Sequence, residues 1–286
     1  MSKAPSTQLA VLGSPITHSK SPALHAAAYG VLGLDWRYTA IEVTAETLEY
    51  FLEARDDTWR GLSLTMPLKR DILPLLDQRH PLVDQTGSAN TVLFQGKANK
   101  RHIRGFNTDV DGIGQAFTRH GVESLTTVHL LGGGATASSA IAAVGRLGAT
   151  AVNVWVRTPK KAAGLVAVGD GHGVTVSIGL LGDAVDAAQR ERPDAIISTL
   201  PNGAELELDF SAETRARAVL FDVAYHPWPT RLAAEWTQAG GRVIGGMDML
   251  VLQALVQVRI FVTGSPDAQL PHEDRVLAAM RAAAGS

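Results

Sequence analysis

Short apolar runs alternate with longer amphipathic or small-residue stretches along nearly the whole chain. That rhythm describes strands joined by crossover helices, and so a mostly parallel sheet with helices on its faces. Strand-like runs fall at residues 9–12, 36–42 and 61–64, and a strand pair at 91–94 and 102–106. Helical segments at 22–32, 45–54 and 69–76 lie between them. After Asn107 a helix is expected over 110–120, and then the pattern restarts. Strands follow at 127–131, 151–156, 195–198, 219–223 and 242–244, with an Ala-rich helix at 136–147. The run at 151–156 carries little polar content, as a doubly covered parallel strand should. The restart predicts two α/β domains with a boundary near 109–114. Two closing helices, 249–262 and 273–284, are compatible with either domain.

A chain of 286 residues that is 45% hydrophobic can fill one large core or two modest ones. The formal charge of -2 carries no basic excess for nucleic acid. There is no cysteine, so disulfides, thiolate metal sites and cysteine nucleophiles are excluded, and no metal is expected. The polar segment 1–8 lacks the apolar stretch of a signal peptide. The longest apolar run, 247–262, is interrupted by Asp248, Gln253, Gln257 and Arg259, so no membrane span is expected. A soluble cytoplasmic protein is the expectation.

The segment Val128-His-Leu-Leu-Gly-Gly-Gly-Ala-Thr-Ala joins a predicted strand to a predicted helix. Its glycines let the backbone turn tightly and approach a ligand. The helix that follows offers unpaired N–H groups and a positive dipole end, which suit a pyrophosphate. Ala137 stands at the third glycine position of the usual fingerprint. The next strand ends at Val156, where an NAD site would place an acid on the ribose 2′-hydroxyl. Here Arg157, Thr158, Lys160 and Lys161 follow instead. Cations at a helix start oppose its dipole, and a 2′-phosphate would give them a partner. That favours NADP over NAD.

Four polar clusters interrupt apolar sequence. In Ser19-Lys-Ser21-Pro22, the hydroxyls can face a ligand carboxylate or cap the helix beginning at Pro22. Thr65-Met-Pro-Leu-Lys69 ends a strand, at the edge where parallel sheets bind ligands. Gly87-Ser-Ala-Asn-Thr91 and Asn107-Thr-Asp109 place amides between small residues, as ligand groups or as turn and capping chemistry.

The order of these motifs resembles the shikimate dehydrogenases from Val11 to Gln257. It continues through Arg157-Thr158, Ser198-Thr-Leu-Pro201, Asp222-Val-Ala-Tyr225 and Gly246-Met-Asp-Met-Leu-Val-Leu-Gln253. The resemblance implies two α/β domains flanking a cleft, the second a Rossmann-like doubly wound parallel sheet. Residues 1–109 plus 246–286 would bind shikimate, and 110–245 would bind NADP. The reaction implied is reversible oxidation of the shikimate 3-hydroxyl to the ketone of 3-dehydroshikimate. Ser19 and Ser21 would hold the carboxylate. Thr65, Asn90, Asp109 and Gln253 would bond the ring hydroxyls, helped by Tyr225. Lys69 and Asp109 would form the catalytic pair, because a hydride leaves a carbinol carbon only as the hydroxyl proton departs. Gly132, Gly133, Gly134, Ala135 and Thr136 would hold pyrophosphate, and Arg157, Thr158 and Lys161 the 2′-phosphate. Thr199, Val223, Gly246 and Met249 would line the nicotinamide. Partners would be small molecules alone, in a monomer or homodimer.

The chain departs from the family at several places. Ser63 stands where Asn is usual, His226-Pro227 where Asn-Pro is usual, and Arg231 where Pro is common. Val156 replaces the Asn before Arg157, and Lys161 an Arg. Two other readings stay open at this point. One is an NAD-using quinate/shikimate dehydrogenase, against which Ser21 and the basic strand end weigh. The other is a non-catalytic dinucleotide or shikimate sensor, whose expected mark is loss of Lys69 or Asp109.

Overall fold

A computed structural model describes residues 7–97, 101–201 and 208–285. The first six residues of the polar start read at 1–8 lie outside these described residues. The chain divides into two compact units, residues 1–108 with 250–286, and residues 109–249. The domains expected from the sequence had their limits at 109 and 246.

The first unit carries strands β1 (Thr7–Gly13), β2 (Trp36–Glu42), β3 (Trp59–Leu64), β4 (Gln78–Arg79), β5 (Thr91–Gln95) and β6 (His102–Phe106). They form one sheet in the order β2-β1-β3-β5-β6-β4. Strands β1, β2 and β3 pair in parallel, β5 pairs antiparallel with both neighbours, and β4 runs with β6. The sheet is thus mixed rather than wholly parallel, because the pair β5 and β6 is a hairpin with β5 reversed. Helices α1 (Ser21–Leu32), α2 (Ala45–Glu53) and α3 (Pro81–Thr86) connect these strands. Leu12, Leu48, Leu62, Leu64, Leu68, Ile72 and Val92 form a buried core. The helix expected at 69–76 is instead a turn and a short 3-10 segment, Leu73–Leu75. Pro74 explains the difference, since it lacks the N–H that an α-helix needs and its ring crowds the preceding turn.

The second unit is a doubly wound sheet. Strands β7 (Thr127–Leu131), β8 (Ala151–Val156), β9 (Thr175–Leu180), β10 (Ala195–Ser198), β11 (Val219–Asp222) and β12 (Val243–Gly245) are all parallel, in the order β12-β11-β10-β7-β8-β9. Helices α4 (Asp109–Arg119), α5 (Ala135–Arg146), α6 (Pro159–Ala162), α7 (Gly164–Asp170), α8 (Ala184–Glu191), α9 (Ala212–Arg217) and α10 (Arg231–Gln238) accompany it. The order reverses between β7 and β10. A sheet of this kind binds ligands at the carboxyl ends beside such a switch point.

Helix α11 (Gly246–Thr263) starts in the second unit and continues in the first, where α12 (Glu273–Ala284) follows. Contrary to the sequence expectation, α11 is long and apolar enough to cross a membrane, by length and composition alone. Its polar residues interrupt the pattern without lowering the average enough. Two-thirds of it is buried, with every residue from Val251 to Val258 inside, so it serves as a core helix.

Candidate functional site

Parallel strands deliver their carboxyl ends to one edge of a sheet. In the first unit that edge receives the segments after β1, β3 and β6. Because β5 is reversed, its beginning lies at the same edge. Sequence segments far apart therefore meet there: Ser14–Ser21, Thr65–Lys69, Asn90 and Asn107–Thr108.

Backbone hydrogen bonds set these segments against one another. Thr65 N–H donates to Leu12 O (2.9 Å) and Ser14 N–H to Met66 O (3.0 Å), tying the Thr65–Lys69 turn to the end of β1. A Cβ on Gly13 would collide with Thr65 Cγ2, so only glycine permits this approach. On the other side Ala89 N–H donates to Lys69 O at 2.8 Å. The turn that carries Thr65 and Lys69 is held from both flanks.

Ser21 is the first residue of α1 and not its cap. Lys20 takes the cap position without a side-chain bond. The Ser21 N–H donates to Ser19 Oγ at 3.3 Å, and Ser21 is buried. Asn90 and Gln253, both expected as ligand groups, are in contact, with Asn90 Nδ2 donating to Gln253 Oε1 at 3.3 Å. Thr108 joins them. Its hydroxyl lies 2.8 Å from Asn90 Nδ2 and 3.3 Å from Gln253 Oε1, and its N–H donates to Asn90 Oδ1 at 2.9 Å. Asn107 donates to Thr86 Oγ1 (2.8 Å) and Ser88 Oγ (3.1 Å). Asp109 opens helix α4 and is buried.

In the second unit the expected cofactor residues occupy one edge in lateral order. Gly246 follows β12, Val223 follows β11, Thr199 follows β10, Gly132 follows β7 and Arg157 follows β8. Gly132 has φ +108, and a Cβ there would lie 2.5 Å from Thr199 Oγ1. Thr199 N–H and Oγ1–H both donate to Leu131 O, at 2.8 and 3.0 Å, so the two strand ends at the switch point are laced together. Gly134 caps α5 without a side-chain hydrogen bond, leaving the helix's first N–H groups for a ligand. Met249, on α11, is buried.

The residues fit a pyrophosphate followed by a phosphorylated ribose. The glycine cradle has no room for a Cβ at Gly132, and Arg157, Thr158, Lys160 and Lys161 are exposed one strand away with no acid among them. At the end of β11, Asp222 is buried and accepts from Ala224 N–H (3.2 Å) and Thr230 Oγ1 (2.6 Å). Burial raises its pKa against these bonds and one from Ser198. It anchors the turn carrying Val223 and Tyr225. Tyr225 is partly buried, and burial raises its pKa.

Sequence reading assigned no ligand role to Tyr38, Ser63, Thr108 or Gln257, all buried beside this first-unit edge. One signal was available. Gln257 lies four residues after Gln253, so a helix places both amides on one face.

Residues 11–92 match the family described as the shikimate dehydrogenase substrate binding domain. The chain is 33% identical over 269 residues to the shikimate dehydrogenase (NADP(+)) of Methanosarcina mazei, covering 91% of this chain and 94% of that one. Its fold is similar to that of Mycobacterium tuberculosis shikimate dehydrogenase, with TM-score 0.80 and 37% identity over 97% of this chain and 100% of that one. It is also similar to the Thermus thermophilus enzyme solved in complex with NADP(H) and shikimate, with TM-score 0.78 and 29% identity over 96% and 99% of the two chains.

Proposed function

The chain belongs to the shikimate dehydrogenase family, and on that premise we propose how its residues divide the work. The reaction is the reversible, NADPH-dependent reduction of 3-dehydroshikimate to shikimate, within aromatic amino acid (chorismate) biosynthesis. The observation that carries the division is the meeting of the β1, β3, β5 and β6 segments at one sheet edge, with Lys69 held from both flanks.

Ser19 and Ser21 hold the substrate carboxylate. Thr65, Asn90, Gln253 and Tyr225 bond the ring hydroxyls. Lys69 and Asp109 act at the 3-oxygen: Lys69 takes the hydroxyl proton during oxidation and returns it during reduction, while Asp109 bonds and orients that hydroxyl. Bound NADPH supplies the hydride to the carbonyl carbon. Gly132 to Thr136 hold the pyrophosphate at the α5 N-terminus. Arg157, Thr158 and Lys161 pair with the 2′-phosphate, and Thr199, Val223, Gly246 and Met249 line the nicotinamide. Residues 1–109 with 246–286 form the substrate domain and 110–245 the cofactor domain. The protein works in the cytoplasm as a monomer or homodimer, on small molecules alone.

The test is absorbance at the reduced-cofactor band, with shikimate or quinate and NADP or NAD. Shikimate with NADP should give the highest kcat/KM. Preference for quinate with NAD would overturn the substrate and cofactor assignment. Tight binding without turnover would favour a sensor.

A further inference from the structure

Asn90 and Gln253 spend hydrogen-bonding capacity on each other and on Thr108. The proton directions among them follow from groups that can only donate or only accept. The Thr108 main-chain N–H donates to Asn90 Oδ1 at 2.9 Å, which fixes that atom as the amide oxygen. A second donor arrives through a buried chain. The Tyr38 hydroxyl donates to Ser63 Oγ (2.7 Å), and Ser63 donates to Gln257 Oε1 (2.8 Å). Gln257 Nε2 faces Thr91 Oγ1 (3.0 Å) and the main-chain oxygen of Asn90 (3.3 Å). Thr91, accepting from Gln257, donates its one proton to Asn90 Oδ1 at 2.8 Å. Both lone pairs of that oxygen are then filled.

The Asn90 carboxamide is thus locked in its plane, and its two protons have fixed directions. One goes to Thr108 Oγ1 at 2.8 Å, and the other reaches Gln253 Oε1 at 3.3 Å. The Thr108 hydroxyl accepts the first. Asn90 Oδ1, 3.2 Å away, has no lone pair left for the Thr108 proton, which turns to Gln253 Oε1 at 3.3 Å. Gln253 is oriented from its other end as well, because Nε2 donates to the main-chain oxygen of Leu250 at 2.8 Å. Among the described residues, Gln253 Oε1 meets two donors, and the second Nε2 proton is what this amide has to offer a ligand.

Substrate changes one of these bonds. For Asn90 to serve a ring hydroxyl, its locked plane leaves it the proton now shared with Gln253, the longer of its two bonds. Gln253 Oε1 then keeps one donor, the Thr108 hydroxyl. We propose that Thr108 is a positioning residue for Gln253: its hydroxyl holds the amide oxygen while substrate takes the Asn90 proton, so that Gln253 meets the ring with an N–H. The inference rests on the reading of Asn90 and Gln253 as ligands of the ring hydroxyls. The number of bonds is the same before and after binding, since Asn90→Gln253 is exchanged for Asn90→hydroxyl. Without the Thr108 hydroxyl the same exchange strips a buried oxygen of its last donor, which costs more than losing one of two. Thr108 is 1% exposed and Gln253 is 7% exposed, so little water reaches the gap. The ring hydroxyl facing Gln253 must accept, and its own proton is left for another acceptor.

Steady-state kinetics of Thr108→Val, Thr108→Ser, Gln253→Ala and the Thr108→Val, Gln253→Ala double variant test this. Thr108→Val keeps the shape and removes the hydroxyl. Its KM for shikimate should rise about 5- to 100-fold, the effect of a buried acceptor left without a donor. Its kcat and KM for NADP should stay near wild type. Thr108→Ser keeps the hydroxyl and should restore the wild-type KM. The double variant should show the KM of Gln253→Ala alone, since no oxygen remains to be stranded. The Asn90 proton that loses Thr108 is unpaired with and without substrate, so it lowers Tm and leaves KM to report on Gln253. An unchanged KM in Thr108→Val, a fall in its kcat at unchanged KM, a Ser variant no better than Val, or multiplying effects in the double variant would overturn the proposal. If Thr108→Val does not fold, by circular dichroism, a crystal structure of the wild-type enzyme with shikimate decides. Thr108 Oγ1 should stay on Gln253 Oε1, with Asn90 Nδ2 bonded to the ring instead. An Asn90–Gln253 bond kept in that complex, or a Gln253 Oε1 released by Thr108, would overturn the proposal. An inactive wild type, or a Gln253→Ala variant of unchanged KM, would instead overturn the reading on which it rests.

Discussion

Replacing Gly132 by Ala puts the cofactor cradle to a quantitative test. Two costs can be read from the turn. At φ +108 an L side chain is strained by about 1–3 kcal/mol. The added methyl would sit 2.5 Å from Thr199 Oγ1 and 3.3 Å from the Thr199 main chain, so that side chain must move. Overpacking of this kind costs about 1–3 kcal/mol more. The total, at least about 2 kcal/mol, can appear in two places. Carried by the cradle, it weakens NADPH binding about 30-fold. Carried by the fold, it lowers Tm by several degrees, at roughly 2–4 °C per kcal/mol for a domain of this size. NADPH titration by calorimetry and a thermal melt together capture both. Adding Thr199→Ala should restore part of the loss, since it removes the oxygen but not the backbone strain. Gly134→Ala should keep the wild-type Tm, because a Cβ there meets nothing within 4 Å. A Gly132→Ala protein with both wild-type affinity and wild-type Tm would refute the reasoning.

Other consequences follow from named groups. Lys69→Ala should lower kcat about 10²- to 10⁴-fold, the usual share of a positioned proton carrier, and leave shikimate affinity nearly intact. Lost affinity at unchanged kcat would contradict it. Arg157→Ala should raise the KM for NADP far more than for NAD, and an unchanged ratio would remove Arg157 from the 2′-phosphate site. Burial holds His25 at a pKa of about 3, against 6.5 unfolded, so the unfolded chain binds the proton first as pH falls. The stability from this group is complete above pH 6.5 and is lost progressively down to about pH 3. Urea melts should show about 2 kcal/mol lost from this residue between pH 7 and pH 5, and a flatter profile in His25→Gln. Equal slopes for the two proteins would contradict this.

The parts of the fold legible in the sequence are those whose burial is uniform. Thr127–Leu131, Ala151–Val156 and Ala195–Ser198 have central or doubly covered positions, and their apolar runs mark both ends. The edge strand Thr175–Leu180 escaped notice. Its residues are half-buried or exposed, and Gly179 interrupts it because the Trp155 ring occupies the space of a Cβ. The reversal of β5 was open to reading as a strand pair, but its effect on the site was not, since that needs the lateral order of the sheet. The resemblance named the groups expected at each strand end. It did not show that Asn90 and Gln253 touch, because that contact joins residues 163 positions apart. The buried chain from Tyr38 through Ser63 to Gln257 was hidden for a different reason. Tyr38 lies between Arg37 and Thr39 and Ser63 between Leu62 and Leu64, each inside a strand, and such hydroxyls look like ordinary strand residues until their partners are known.

The lateral arrangement of the second sheet makes its edge a ruler. From Gly246 behind β12 to Arg157 behind β8 there are four strand intervals. At about 4.8 Å each, they separate the two ends by roughly 19 Å. A ligand that touches both must lie across the strands, and its two ends are read by residues too distant to disturb one another. Free-energy changes add when sites are more than about 10 Å apart and share no partner. On the proposed assignment, Arg157 at β8 and Gly246 at β12 exceed that distance and meet opposite ends of the ligand, so the effects of substitutions at the two on NADPH binding should add.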